Sequence, residues 1–133
     1  MALHLKIVTP ERTLTDADVS ELTAPGTAGE FGVLPQHVTF LGGLDVGVLV
    51  YVEEGRKCRV VVDDGYAEVC DDTVTILADR AEPASEIDPS EAGARLAAAD
   101  RALDEGAETP EEMDVLLHGV KSARARVEAV SAA

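Results

Sequence analysis

Residues 1–82 carry the period of extended chain. Leu3, Leu5 and Ile7 alternate with His4, Lys6 and Val8, which places alternate side chains on opposite faces of a strand. Val46 to Val52 is β-branched and apolar, and it ends at Glu53-Glu54-Gly55-Arg56, which reads as a hairpin turn. Cys58 to Val62 follows and ends at Asp63-Asp64-Gly65. Tyr66 to Cys70 comes next, and Asp71-Asp72 separates it from Thr73 to Ala78. Short β-branched runs punctuated by acidic or glycine turns predict an antiparallel meander, hence a sandwich or barrel. No helical pattern of useful length occurs in this part.

The pattern changes at Pro83-Ala84-Ser85-Glu86, after which β-branched residues thin out and alanine dominates. Asp88 suits an N-cap, with Pro89 at the first helical position and Glu91 three residues after the cap. Leu96, Ala99 and Leu103 mark one helix face, and Gly106 suits the stop. Thr109-Pro110-Glu111-Glu112 repeats the device. Met113, Leu116, Leu117, Val120, Val127 and Val130 then fall near one stripe at helical spacing. The chain therefore predicts an α+β fold, strands first: an antiparallel β-sandwich over 1–84 and a two-helix antiparallel hairpin over 85–133. The helices have narrow apolar stripes and much alanine, so the hairpin is expected to be marginally stable and able to detach.

Composition narrows the function classes. At 133 residues the chain fits one domain, or a domain with a small appendage. It is 46% hydrophobic but only 3% aromatic, so its core must be aliphatic. Twenty-six acidic residues against 11 basic give a net charge of −15. Such a surface repels nucleic acid and anionic headgroups, which argues against both as partners. It also suits a host with a salty cytoplasm. No apolar run approaches the ~18 residues of a membrane span, and no signal-peptide pattern opens the chain, so no direct membrane insertion is expected. Cys58 and Cys70 form no CxxC pair and are expected to be reduced, partly buried thiols of a cytoplasmic protein.

Catalytic patterns are missing. There is no G-x-x-x-x-G-K-[ST] loop, and Gly26 and Gly29 precede the acidic Glu30. His4, His37 and His118 are far apart in sequence, and no pair has zinc-ligand spacing. Asp63-Asp64 and Asp71-Asp72 could bind a hard cation but read more simply as solvated turn acids. No enzyme, cofactor or metal is expected, and the chain should act by contact.

The stretch Pro25-Gly26-Thr27-Ala28-Gly29-Glu30-Phe31-Gly32-Val33-Leu34-Pro35-Gln36-His37 is the most specific motif. Four of its first eight residues are glycine or proline, so the backbone must turn tightly. It resembles the signature segment of the ε subunit of bacterial and chloroplast F-type ATP synthase, called δ in mitochondria, which reads P-G-x-x-G-x-F/L-G-v-L/y-P-G-H. Gln36 replaces the usual glycine, and Val38-Thr39 replaces the usual Ala-Pro. Leu3 to Arg12, Val74 to Glu82 and Glu86-Ile87-Asp88 are similar to the family in the same order and spacing.

The resemblance implies a non-catalytic central-stalk subunit of a proton-translocating ATP synthase, peripheral on the cytoplasmic side of the bacterial inner membrane. Its partners would be the γ subunit, the c-ring and, transiently, the α/β subunits. Gly29, Glu30 and Phe31 would then face the c-ring, and His37 would lie near γ. The hairpin would extend along γ and inhibit ATP hydrolysis, with Lys121, Arg124 and Arg126 meeting acidic loops of the β subunits. Some members bind ATP at an Ile/Leu-Asp-x-x-Arg-Ala motif. Here the segment reads Ile87-Asp88-Pro89-Ser90-Glu91-Ala92, with a glutamate at the arginine position, so no ATP site is carried over. The alternative is a stand-alone β-sandwich binding module with a helical tail. Against it, the only aromatics are Phe31, Phe40, Tyr51 and Tyr66, too few for a recognition platform.

Overall fold

The computed structural model describes residues 2–131. Eight strands precede two helices: β1 (Leu3–Val8), β2 (Thr13–Val19), β3 (Glu21–Gly26), β4 (Gly29–Val33), β5 (Phe40–Leu44), β6 (Gly47–Glu53), β7 (Arg56–Cys70) and β8 (Thr73–Pro83). A 3₁₀ turn (Ala84–Glu86) leads to α1 (Pro89–Glu105) and α2 (Pro110–Ser131). All strand pairs are antiparallel except one: β1 lies parallel to β8, with Ile7 opposite Ile76.

One correction concerns Asp63-Asp64-Gly65. These residues form no hairpin turn, because β7 runs unbroken for 15 residues through them. They form a bulge: Asp63 pairs with Arg80 and Gly65 with Ala78, while Asp64 has φ 53°. Such a bulge bends and twists a strand. The bend lets one strand serve both leaves of the sandwich. Gly47–Glu53 pairs with its first half and Phe40–Leu44 with its second. Gly65 must be glycine, since its φ is 136° and a Cβ there would sit 2.0 Å from the Leu77 carbonyl oxygen. Asp71-Asp72 is the genuine turn, with φ values of 50° and 59° that match the mirror-image turn favoured in two-residue hairpins.

Leu3, Leu5, Ile7, Val69, Val74 and Ile76 come from one leaf, and Leu22, Val33, Leu49, Val60 and Val62 from the other. All meet in one aliphatic core. Burial at roughly 25 cal/mol per Å² of apolar area makes this the main stabilising contribution.

The helix signals act as read. Asp88 accepts a hydrogen bond from the Ser90 amide, and Gly106 ends α1 with φ 85°. Thr109 Oγ1 accepts from the Glu112 amide, and the Glu112 carboxylate accepts from the Glu108 amide. The hairpin packs on the sandwich through α2, which contacts β6 and β7. Val46, Val61, Ile87, Ala92, Ala125 and Ala129 form a second, smaller core there. The buried stripe of α2 differs from the expected one: Val120, Ala123, Ala125, Arg126 and Ala129 are buried, whereas Leu117 is exposed. Alanine permits close approach to the sheet, and larger side chains lie at the margin. In α1 only Ala92 is buried.

Candidate functional site

Three surfaces remain available for contact chemistry. The first is a corner built by the glycine-proline stretch. Leu34-Pro35-Gln36-His37 forms a turn closed by the His37 amide donating to the Leu34 carbonyl at 3.1 Å. Proline precedes a residue with φ 69°, Gln36, which gives a type II turn. Gln36 thus adopts the left-handed conformation that glycine takes without penalty, and its amide is anchored at 2.6 Å on the Asp72 carboxylate. His37 Nδ1 donates to the Val38 carbonyl at 2.7 Å. The Phe31 and Phe40 rings lie 5.0 Å apart, and His37 stands edge-on to Phe40 at 6.4 Å. A side chain at Gly42 would meet the Phe40 ring at 2.5 Å, so glycine there makes room for it. The structure therefore brings Phe31 and His37 together through Phe40. Gly29 and Glu30 lie exposed beside them, where Gly29 begins β4.

The second surface is an apolar row that sequence reasoning missed. Val8, Leu77, Tyr66 and Gly43 stand opposite one another across β1, β8, β7 and β5. Tyr66 is 63% exposed and Leu77 52%, and Leu41, diagonal to Tyr66, is 72% exposed. Leu34 and Val38 are also exposed, at the corner turn. The signal was present in Ile76-Leu77-Ala78, an apolar run covering both faces of one strand where a half-solvated strand needs only one. The hairpin covers the outer face of the other leaf.

The third surface is the charged seam between hairpin and sandwich. Lys121 Nζ lies 2.6 Å from the Asp45 carboxylate. Hydrogen bonding by Lys121 is the main cause that holds the Asp45 carboxyl below its ordinary range. Arg126 is only 8% exposed and grips Glu82 with Nε at 2.9 Å and Glu91 with Nη1 at 3.2 Å. The Glu82 hydrogen bond is the main cause that raises the Arg126 pKa further. Arg124 is exposed and has no ion pair among the described residues. The expected trio thus does not share one patch in the docked arrangement: Lys121 and Arg124 are accessible, whereas Arg126 is a buried link. His118 adds a fourth contact, with Nε2 at 3.0 Å from Asp63. The donor atoms of Asp63, Asp64 and His118 all lie within 4.8 Å of one another. Asp45, Asp63 and Glu82 could not be read as partners of α2 because they are more than 35 residues away in sequence.

Among the described residues, the three histidines pair with carboxylates or a backbone carbonyl and not with a serine or cysteine. Glu91, at the position of the family's ATP-motif arginine, pairs with Arg126 and Arg95.

Comparison with known proteins identifies close likenesses. The family model for "ATP synthase, Delta/Epsilon chain, beta-sandwich domain" matches residues 2–84. An ATP synthase epsilon chain from Nitratidesulfovibrio vulgaris (strain DP4) is 44% identical over 113 residues, covering 85% of this chain and 82% of the relative. An ATP synthase epsilon chain from Synechococcus sp. (strain RCC307) is 37% identical over 134 residues, covering 99% of both chains. A chain in the cryo-EM structure of the Euglena gracilis mitochondrial ATP synthase (OSCP/F1/c-ring, rotational state 1) superposes with a TM-score of 0.82 at 25% identity. That match covers 98% of this chain and 81% of the other.

Proposed function

The chain belongs to the ATP synthase delta/epsilon family, and from that premise we propose that it is the non-catalytic rotor subunit joining γ to the c-ring of a proton-translocating enzyme, with its helical hairpin opposing ATP hydrolysis. The observation that carries the reading is the uncovered apolar row. Val8, Leu77, Tyr66 and Leu41 expose apolar area on a chain of net charge −15, and such a patch marks an interaction site. The γ subunit is its occupant in this reading, with His37 and Val38 at the border. Gly29, Glu30 and Phe31 extend the same end of the sandwich toward the c-ring. Glu30 is free to meet loop cations there, having no ion pair among the described residues.

The hairpin's part follows from how it is held. Its contact with the sandwich uses small side chains and charge pairs, which a competing partner can replace. Arg124 presents its charge outward already, whereas Lys121 and Arg126 become available only when the hairpin leaves Asp45, Glu82 and Glu91. Membership of the family supports a peripheral position in the complex, which we read as the cytoplasmic side of a bacterial inner membrane. No described helix is long and apolar enough to cross a membrane.

The test is retention by the γ subunit. Wild-type chain should co-purify with γ, and Leu77→Asp with Tyr66→Asp should abolish retention while circular dichroism stays unchanged. Full retention of the double variant would move the γ contact elsewhere and remove the support for this assignment.

A further inference from the structure

We propose that Asp63 and Asp64 of the β7 bulge, with His118 of α2, form a divalent-cation site of zinc class that clasps the docked hairpin to the sandwich. Two elements that share no sequence neighbourhood supply the donors. His118 Nε2 lies 3.0 and 3.2 Å from the two Asp63 carboxylate oxygens, and an Asp64 oxygen completes a set within 4.8 Å. An uninterrupted strand would send consecutive side chains to opposite faces. The bulge cancels that alternation and gathers both carboxylates beside one imidazole.

The charge around the three groups favours a cation. Asp79 acts electrostatically on Asp64, and Asp45 on His118, so further carboxylates lie near the cluster. Lys121 is already committed to Asp45. The adjacent carboxylates of Asp63 and Asp64 repel each other at this spacing. A dication at the cluster relieves that repulsion.

The donor set also selects the ion. Zinc takes both imidazole nitrogen and carboxylate oxygen as ligands, and a three-ligand protein site keeps a position for water. Calcium and magnesium prefer oxygen alone and gain little from His118. At metal–ligand distances of about 2.0–2.2 Å, donors on one ion lie roughly 3–3.5 Å apart. The cluster closes to that spacing by side-chain rotation, because His118 and Asp64 are solvent-exposed. Only the docked hairpin presents all three groups. Bound ion at ~100 times its Kd therefore raises the docked-to-released ratio about 100-fold. This inference uses the docked arrangement alone and stands apart from the rotor assignment.

Titration of the full chain with zinc chloride in a non-chelating buffer tests it. One saturable equivalent is expected. Its affinity should fall by at least the ~10–100-fold that losing even an outer-shell partner costs in His118→Gln and in Asp64→Asn. Magnesium should bind equally to wild type and His118→Gln. Hydrogen exchange of α2 amides should slow with zinc in the wild type and stay unchanged in His118→Gln. The proposal is overturned by the absence of a saturable equivalent, by unchanged affinity in His118→Gln, or by α2 exchange indifferent to zinc.

Discussion

Arg126 shows how a single residue reverses its meaning between sequence and structure. In the sequence it belongs with Lys121 and Arg124 as a basic cluster for a partner. In the fold its guanidinium is buried and clamps Glu82 to Glu91 across the seam. The planar fork serves two carboxylates at once, which an ammonium cannot do. Arg126→Ala leaves two facing carboxylates and should destabilise docking by about 1–3 kcal/mol, read as faster exchange of α2 amides. Arg126→Lys should recover only part of that protection. Gly65 is the second such residue. The sequence marks it as a turn glycine, but the bulge geometry is what demands it. Gly65→Ala should cost about 3 kcal/mol or more, seen as a collapsed melting temperature, while Gly106→Ala, strained at φ 85° but with open space for a Cβ, should cost about 1–3 kcal/mol. His4 offers a pH reading. Hydrogen bonds to Asp18 and then Asp16 raise its pKa above the ordinary 6.5. A raised folded pKa contributes stability that is fully present below pH 6.5 and lost as pH climbs through the folded value. The difference in melting temperature between wild type and His4→Gln should therefore shrink as pH rises past neutrality. A difference that grows with pH would contradict the pairing.

At the scale of elements, local signals were legible and long-range ones were not. Asp88, Pro89 and Gly106 set the bounds of α1 because caps act within four residues. Strand β1 was readable from alternation, and β6 and β8 from β-branched runs bounded by turns. Strand β2 was not, since Thr13–Val19 is a polar edge strand with only Val19 buried. The continuity of β7 was hidden because two aspartates and a glycine imitate a turn. In α2 the expected stripe of large residues gave way to alanines, since contact with a sheet selects for close approach over bulk. That makes the hairpin seat sensitive to added volume. Ala125→Leu should weaken docking by about 1–3 kcal/mol, visible as protease sensitivity in α2 with the sandwich intact. The fragment 1–84 should unfold cooperatively on its own, because its core draws on no helix residue. A fragment lacking a cooperative transition would show that the hairpin is part of the fold's stability.

Across the whole molecule, charge sets the conditions and the division of labour sets the function. Fifteen excess negative charges repel more strongly in the compact chain than in the expanded one. Screening shortens from ~10 Å at 0.1 M to ~3 Å at 1 M salt, so the melting temperature should climb between low and molar potassium chloride. A melting curve indifferent to this salt would defeat the self-repulsion argument. The seam pairs Lys121–Asp45 and His118–Asp63 are partly exposed, worth little each, and screened by the same salt. In the function proposed above, the sandwich holds the rotor and the hairpin governs hydrolysis. Its most direct test is the ATP hydrolysis rate of the assembled complex carrying either the full chain or residues 1–84, at equal retention. Faster hydrolysis with the shortened chain is the expected result. Equal rates with both would contradict the claim that the hairpin is a brake.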